Sequence, residues 1–428
     1  MQILIKGARV LDPGNIDVNK DILIKDHLIE TLLDPDDKSI PIDIEIIDAR
    51  GMIIVPGLID IHVHLREPGA EYKETIETGV MAAARGGFTA VCSMPNTHPV
   101  NDNSQVTRFI INRSHELGLT KVYPAGAITQ GSMGTALAEI YDMKQAGIVA
   151  VTDDGKPVEN SNVMRRALEY CKGLNIPVFV HAEDPGIADK GSMNEGPSAT
   201  FWGLKGIPNA AESIMVVRDI ALSELTGGHV HFCHISTRES VEAIRQAKKR
   251  GVNITCETAP HYFTLTDEDV KDYNTNFKMN PPLRSEEDRL AVIQGLCDGT
   301  IDLIASDHAP HSVIEKDVEF DQAAFGIVGL ETSLSLSLKL VQDGFLTMAS
   351  LVNKMAKNPA KILKINNDIK HGNVADLTII DPDDTYMINS ETFLSKSKNT
   401  PFSGHMVTGS AFLTMVNGRV VYQRSQHF

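Results

Sequence analysis

The stretch IIVPGLIDIHVHLR, residues 53–66, carries the pattern that decides the fold. Its apolar, β-branched run over residues 53–63 predicts a buried strand. Because alternate side chains of a strand share one face, His62 and His64 can direct their imidazole nitrogens to one point. Such a pair is more often incidental than a pair of ligands, so its meaning depends on the segments that follow.

The middle of the chain alternates between strands and helices. Seven more apolar strand patterns follow the first, at residues 88–93, 121–127, 148–152, 176–180, 229–234, 252–257 and 301–306. Helical patterns between them end at glycines suited to a left-handed cap, namely Gly86, Gly118, Gly147, Gly227 and Gly251. Eight such units predict a closed parallel (β/α)8 barrel of the TIM type. A doubly wound open sheet is the competing fold, but no glycine-rich phosphate turn follows the first strand.

Both ends of the chain differ from the middle. They contain short β-branched segments separated by Asp-Pro, Asn-Gly and Gly turns. We therefore predict a small β-sandwich domain made of residues 1–53 and 366–428, and a catalytic barrel over residues 54–365.

Composition narrows the function. The chain has 428 residues and a net charge of −16, which argues against nucleic acid or an anionic membrane as a partner. An anionic substrate would need local cations in such a protein. The N-terminus shows no secretory signal pattern, no apolar run reaches membrane length, and the 5 cysteines are scattered. We expect a cytoplasmic enzyme with reduced thiols.

Side chains of the metal-ligand type recur where the predicted strands end. They are His62, His64, Asp154, His181, His234 and Asp307. Active sites of such barrels form at the carboxyl ends of the strands, so these side chains are expected to converge. Imidazole and carboxylate suit Zn²⁺, which activates water and polarises carbonyls, so the pattern favours hydrolysis of a C–N bond or its reverse. Asp154 has a competing interpretation, because Asp153 adjoins it and an aspartate pair is usually a solvated turn.

The chain resembles the amidohydrolase superfamily and, within it, the dihydroorotases of the bacterial type. The similar segments are HVHLREPG (62–69), ETIETG (74–79), GGFTAVCSMPNT (86–97), TDDG (152–155), KMNPPLR (278–284), DHAPH (307–311) and FGIVGLE (325–331). They occur in family order and span essentially the whole chain. The first, fifth and sixth together are highly specific, whereas HxH alone marks only the superfamily.

The resemblance implies reversible cyclisation of N-carbamoyl-L-aspartate to L-dihydroorotate, the third step of de novo pyrimidine (UMP) synthesis. It implies one zinc ion on His62, His64 and Asp307, a second on His181 and His234, and Asp154 bridging the two. Asp307 would also transfer the proton. The implied substrate contacts are His64, Arg66, Asn96, Asn280, His311 and the backbone of Phe325 and Gly326.

Structural roles compete for the substrate contacts. Arg66 offers a planar fork for a carboxylate, and its position two residues after a ligand favours that role over a salt bridge with Glu67 or Glu71. Asn96 is also placed to cap the next helix, and Asn280 to brace the double-proline turn after it. The remaining histidines of the barrel segment are interpreted as structural or left outside the site, among them His98, His229, His231, His261 and His308.

One departure concerns the bridge between the metals. Hydantoinases and dihydropyrimidinases place a carboxylated lysine at the end of the fourth strand, where this chain has Asp-Asp-Gly followed by Lys156. An aspartate bridge is shorter, so we hypothesise that the second zinc ion binds weakly.

The competing functions are another cyclic amide hydrolase (dihydropyrimidinase, hydantoinase or allantoinase) and a non-catalytic scaffold for aspartate carbamoyltransferase. Retention of all six ligand positions disfavours the scaffold, while a complex with that transferase and a homo-oligomer stay open.

The polar segment between His311 and Phe325 is predicted to be a mobile loop that orders over substrate.

Overall fold

The central element of the protein is a parallel barrel, seen in a computed structural model that describes residues 2–35 and 44–424. Its strands, hydrogen-bonded in chain order, are Leu58–Val63, Phe88–Ser93, Lys121–Gly126, Ala150–Val151, Val178–Val180, Val230–Phe232, Ile254–Thr258 and Leu303–Ile304. They are called here the first to eighth barrel strands. The predicted (β/α)8 barrel is confirmed.

The barrel closes between its first and eighth strands mainly through polar contacts near the mouth. Val63 forms an isolated parallel bridge with His308, and the His64 N–H donates to the His308 carbonyl at 2.8 Å. The buried Asp60 carboxylate accepts the Ser306 N–H at 3.0 Å and the His62 N–H at 3.1 Å. The Asp60 side chain thus supplies part of the hydrogen bonding between the first and eighth strands. Asp307, which follows Ser306, is therefore held beside the first strand.

Helices surround the barrel. Those that follow the eight strands in turn are Ile76–Arg85, Ser104–Leu117, Ile140–Ala146, Ser161–Leu174, Asn209–Thr226, Arg238–Lys249, Glu286–Asp298 and Ser333–Gln342. Shorter helices lie in the loops and after the last of these, at Pro185–Ala188, Pro197–Trp202, Pro260–Thr264, Val313–Lys316, Met348–Val352 and Asn358–Leu363. No helix within the described ranges has the length and apolar character needed to cross a membrane.

The glycines predicted to cap helices behave as expected with one exception. Gly118, Gly147 and Gly227 have φ of 62°, 118° and 69°. Gly251, with φ of 78°, directly follows the cap residue of its helix. The prediction is wrong for Gly86, whose φ is −75°. A Cβ there would lie 2.1 Å from the Leu330 carbonyl oxygen, so close packing requires that glycine.

The chain ends form two facing sheets. One contains, in order, Leu28–Leu33, Asp21–Lys25, Gln2–Lys6 and Glu45–Asp48. The other contains Arg419–Gln423, Met406–Val416, Leu377–Met387, Ile53–Pro56, Arg9–Asp12 and Ile16–Asn19. Their inner faces share one buried apolar cluster, which includes Ile5, Ile24, Ile54, Ile379 and Leu413. This arrangement confirms the small β-sandwich.

The single strand predicted over residues 53–63 is instead two strands. Ile53–Pro56 pairs with Leu377–Met387 and Arg9–Asp12 in the sandwich, while Leu58–Val63 starts the barrel. The domain boundaries stay a prediction, partly because residues 1, 36–43 and 425–428 lie outside the described ranges. The pairing favours a boundary at Gly57 rather than after residue 53.

Gly57 allows this change of sheet because its backbone passes close to the second barrel strand. An added Cβ would lie 2.1 Å from the Thr89 Oγ1, a buried side chain. We expect Gly57→Ala to lower the free energy of unfolding in urea by about 1–3 kcal/mol. The matched control is Gly173→Ala, in a helix position with nothing within 4 Å, which should be neutral or stabilising. Equal unfolding midpoints for the two variants would contradict the close packing at Gly57.

Candidate active site

Four of the predicted ligand residues meet at the barrel mouth. The His62 Nε2 lies 3.4 Å from the Asp154 Oδ1 and 3.6 Å from the Asp307 Oδ1. The His64 Nε2 lies 3.4 Å from the Asp154 Oδ2 and 3.3 Å from the Asp307 Oδ1. All four residues are buried. The ends of the first, fourth and eighth strands therefore place two imidazoles and two carboxylates around one small volume.

The other two predicted ligands form an adjoining group. The His181 Nδ1 lies 3.0 Å from the His234 Nε2, which lies 3.8 Å from the Asp154 Oδ1. Asp154 thus faces both groups. Ligand atoms lie within 4.8 Å of one another in His62, His64 and Asp307, and also in Asp154, His181 and His234.

The structure also separates the roles of the two neighbouring aspartates. The Asp153 carboxylate accepts the backbone N–H of Ile128 at 2.8 Å and of Thr129 at 3.1 Å, and it also accepts the Thr129 hydroxyl. Asp153 therefore fastens the loop after the third strand, and only Asp154 faces the histidines.

The residues fit a metal ion. The His62 Nε2 and the Asp154 Oδ1 are buried without a hydrogen-bond partner among the described residues, an arrangement that needs an explanation. Two ligands about 2.1 Å from one tetrahedral ion lie about 3.4 Å apart, which matches the nitrogen–oxygen separations at the mouth. Imidazole nitrogen and carboxylate oxygen are a donor set typical of zinc.

Electrostatics favour a cation at this centre. Burial would raise the carboxyl pKa values of Asp154 and Asp307, but the surrounding histidines outweigh it and hold both below their ordinary value. Burial would lower the pKa of His62, but the charges of Asp154 and Glu257 raise it well above its usual value. The field that attracts a proton to His62 also attracts a metal ion.

Backbone strain is concentrated at the mouth. Arg66, His234 and Asp307 have φ of 61°, 33° and 47°, in the left-handed region that non-glycine residues rarely adopt. Each follows the end of a barrel strand, where this turn redirects the side chain. The strain is therefore part of how the mouth is built.

Arg66 has the surroundings expected of a carboxylate-binding residue. Its Nε donates to the Pro310 carbonyl at 3.1 Å, and no carboxylate of the described residues lies within ion-pair distance of its guanidinium. The structural alternatives are occupied elsewhere, because Glu67 accepts the Ile76 N–H and Glu71 accepts the Gly69 N–H. Burial lowers the Arg66 pKa to about 10, which leaves the side chain charged at neutral pH.

Asn96 contacts a predicted ligand rather than a helix. Its Oδ1 lies 2.9 Å from the His64 Nδ1 and accepts that N–H when the Nε2 faces the aspartates. The following helix is capped by Asn103 instead. Asn96 therefore orients His64 at the edge of the site.

The remaining predicted substrate contacts lie beside His181 and beside Arg66. The Asn280 Nδ2 lies 3.4 Å from the His181 Nε2, and its Oδ1 is buried without a partner among the described residues. The His311 Nε2 donates to the Phe325 carbonyl at 2.8 Å and lies 3.3 Å from the Arg66 NH2. Burial lowers the His311 pKa to about 3, so this ring is neutral.

The segment after His311 has a fixed base and an exposed tip. It contains the helix Val313–Lys316, whose Val313 and Ile314 side chains are 75% and 84% exposed. The buried Lys316 Nζ donates to the carbonyls of Lys278, Ala324 and Gly326 at 3.2, 2.8 and 3.0 Å. Lys316 thereby attaches the segment to the backbone around Gly326. Its mobility stays a prediction.

Sequence reasoning missed Glu257 and Cys233. Glu257 is the last residue but one of the seventh strand, and its carboxylate lies 2.6 Å from the His62 Nδ1 and 3.0 Å from the His231 Nε2. Burial would raise its pKa, but His62 and His231 lower it to about 2. The Cys233 thiol lies with His62 and Asp154 in a third group of possible ligand atoms. The available signal for Glu257 was its place near a strand end, whereas its contact with His231 could not be predicted because the two residues lie on different strands.

Solved structures with the same fold define the class. The L-hydantoinase (dihydropyrimidinase) from Arthrobacter aurescens matches with a TM-score of 0.88 and 27% identity, over 100% of this chain and 97% of that chain. The dihydropyrimidinase from Brevibacillus agri matches with a TM-score of 0.83 and 22% identity, over 99% and 95%, and shows the fold. The likeness to the L-hydantoinase, together with the histidines and aspartates at the barrel mouth, places this chain among the amidohydrolases.

Sequence relatives narrow the class to a family. The family described as Dihydro-orotase-like matches residues 51–240. A protein named dihydroorotase from Desulforapulum autotrophicum is 64% identical over 424 residues, 99% of this chain and 100% of that relative. Another so named, from Geotalea daltonii, is 55% identical over 426 residues, again 99% and 100%. The chain belongs to the dihydroorotase family, which confirms the resemblance and makes it a cyclic amide hydrolase.

Acid stability should depend on a buried histidine next to the site. Burial lowers the pKa of His261 to about 4, below the 6.5 of an ordinary histidine. The unfolded chain therefore takes up this proton first, and stability is lost as the pH falls from about 6.5 towards 4. Between pH 7.5 and pH 5 this residue should cost about 2 kcal/mol. In urea unfolding of metal-free protein, His261→Gln should reduce the pH-dependent loss by that amount, whereas the exposed His27→Gln should not.

Proposed function

We propose that the chain catalyses the reversible cyclisation of N-carbamoyl-L-aspartate to L-dihydroorotate with zinc, in de novo pyrimidine synthesis. The observation that carries the substrate is Arg66, a charged and largely buried guanidinium without a carboxylate partner among the described residues, beside a histidine–aspartate centre. The name of the relatives, dihydroorotase, supports the same reaction.

Two zinc ions are part of this proposal. His62, His64 and Asp307 would hold one, His181 and His234 the other, and Asp154 both. Zinc would supply a polarised carbonyl and an activated water. Asp154 would hold both ions with a shorter side chain than a carboxylated lysine, so we expect the second ion to bind more weakly, and metal analysis of protein purified without added zinc tests this.

The other residues bind and orient the substrate. Arg66 would take the α-carboxylate in a bidentate pair, which offsets the repulsion from a chain of net charge −16. His311 and the backbone of Phe325 and Gly326 lie next to it, since His311 contacts both Arg66 and Phe325. Asn96 and Asn280 would donate amide hydrogens from the other side.

Asp307 would move the proton. Its carboxyl is ionised because nearby histidines lower its pKa, so it is ready to accept the proton of the ureido nitrogen during ring closure. In hydrolysis it would return that proton to the ring nitrogen. Ring closure consumes one proton overall, because a carboxylate and a neutral ureido group become a neutral amide and water. Lower pH therefore favours synthesis.

Asp307→Asn tests this role, since asparagine keeps an oxygen ligand but cannot accept the proton. We expect dihydroorotate hydrolysis to fall by roughly 10²- to 10⁴-fold while zinc content is retained. Removing zinc with a chelator should abolish wild-type activity, and adding it back should restore wild-type activity but not that of the variant. Asp142→Asn, an exposed carboxylate on the helix Ile140–Ala146, is the control. Full activity of zinc-free protein would disprove the zinc requirement.

Arg66→Met tests the substrate. Loss of a buried carboxylate pair should lower kcat/KM for dihydroorotate by about 10²- to 10³-fold and leave slow hydrolysis of uncharged dihydrouracil unchanged. The structural likeness to an L-hydantoinase makes a hydantoinase, dihydropyrimidinase or allantoinase the second candidate. A wild-type protein that hydrolyses hydantoin and never dihydroorotate would favour that candidate.

Location and assembly complete the proposal. Cys92, Cys171, Cys233 and Cys256 are buried and free, which suits the reducing cytoplasm. A homo-oligomer and a complex with aspartate carbamoyltransferase stay part of the proposal. Light scattering of the protein alone and mixed with that transferase tests both. Convergence of the ligand residues supports catalysis over a purely scaffolding role.

A further inference from the structure

A continuous line of hydrogen bonds runs through the barrel interior away from His62. The His62 Nδ1 lies 2.6 Å from the Glu257 Oε1, and the Glu257 Oε2 lies 3.0 Å from the His231 Nε2. The His231 Nδ1 lies 2.8 Å from the Thr255 Oγ1, which lies 2.8 Å from the His229 Nε2. The line uses one face of the sixth and seventh strands, because 229 and 231, like 255 and 257, are two residues apart.

The chemistry of these groups gives every bond a direction. Glu257 can only accept when ionised, so the His62 Nδ1 and the His231 Nε2 must both carry hydrogens. A neutral His231 then accepts at Nδ1 from the Thr255 hydroxyl, whose oxygen accepts from the His229 Nε2–H. All four bonds are satisfied with neutral imidazoles, and all point towards Glu257. The His62 Nε2 is then left with its lone pair facing Asp154 and Asp307.

Packing holds the line in place. The His231 ring contacts the Phe179 ring at a centroid distance of 4.6 Å, and the His231 and Glu257 side chains are 0% and 1% exposed. A buried carboxylate costs several kcal/mol unless its partners compensate, and apolar residues would fill the same space at less cost. Stability alone therefore does not account for the line.

We propose that Glu257, supported by His231, Thr255 and His229, is a positioning residue that fixes His62 as the Nδ1–H tautomer and so presents Nε2 to the metal ion. Its negative charge also makes the His62 imidazole a better ligand. The proposal rests on the proposed role of His62 as a ligand. It assigns a function to the barrel interior below the mouth, outside the ligands and substrate contacts.

Zinc affinity, measured by competition with a chromophoric chelator, tests the proposal without substrate. Glu257→Gln should bind zinc roughly 10- to 100-fold more weakly than wild type. Thr255→Val, which removes only the hydroxyl in the middle of the line, should weaken binding roughly 2- to 10-fold. Thermal unfolding of the metal-free proteins checks that the variants fold.

Two matched controls separate positioning from a general loss of packing. Glu331→Gln changes another buried carboxylate, which binds Arg85 and the Leu394 N–H. Thr89→Val removes a buried hydroxyl of the second strand, which donates to the Leu58 carbonyl of the first strand at 3.3 Å. Both should bind zinc as the wild type does, even where their metal-free forms unfold at lower temperature.

A measurement on the wild type covers the case in which Glu257→Gln does not fold. Long-range proton–nitrogen spectra of zinc-loaded protein with ¹⁵N-histidine should show His62 as the Nδ1–H tautomer and His231 as the Nε2–H tautomer. The opposite tautomer of His62, or zinc affinity of Glu257→Gln within twofold of wild type, would overturn the proposal. A wild type that binds no zinc would instead overturn the proposed function.

Discussion

The closure of the barrel at Asp60 is the constraint on which the site depends. Its carboxylate joins the first strand to the eighth by accepting the backbone N–H groups of His62 and Ser306. The last barrel strand has only two residues in regular pairing, so these side-chain bonds and the His64–His308 contact do much of the joining. Asp307 follows directly and lies 3.3 Å from His64. The contacts that close the barrel therefore also bring Asp307 to the histidines of the first strand.

Most of the architecture and the convergence of the ligands could be predicted from the sequence because both follow from local periodicity. Strand alternation places His62 and His64 together, and barrel geometry brings the strand ends to one rim. The pairing of Ile53–Pro56 with Leu377–Met387 could not be predicted, because its partner is over three hundred residues away. Local pattern carries no information about such a register.

The missed parts of the site share a physical reason. The different roles of Asp153 and Asp154 depend on which backbone N–H groups lie nearby, and Glu257 acquires its role from histidines on the first and sixth strands. Each is decided by contacts between strands rather than by residue type. The helix does end at Gly86, but its φ is −75°, and the close approach of the Leu330 carbonyl rather than a left-handed turn requires the glycine.

The six-stranded sheet has a consequence for synthesis on the ribosome. Ile53–Pro56 lies between Arg9–Asp12, made just before it, and Leu377–Met387, made after the whole barrel. The early strands therefore wait, with one edge unpaired, while the whole barrel emerges. Exposed strand edges are prone to wrong pairing. The early strands must stay free of wrong partners until the strands that follow the barrel are made, so folding of the sandwich is tied to synthesis of the segment around residues 377–423.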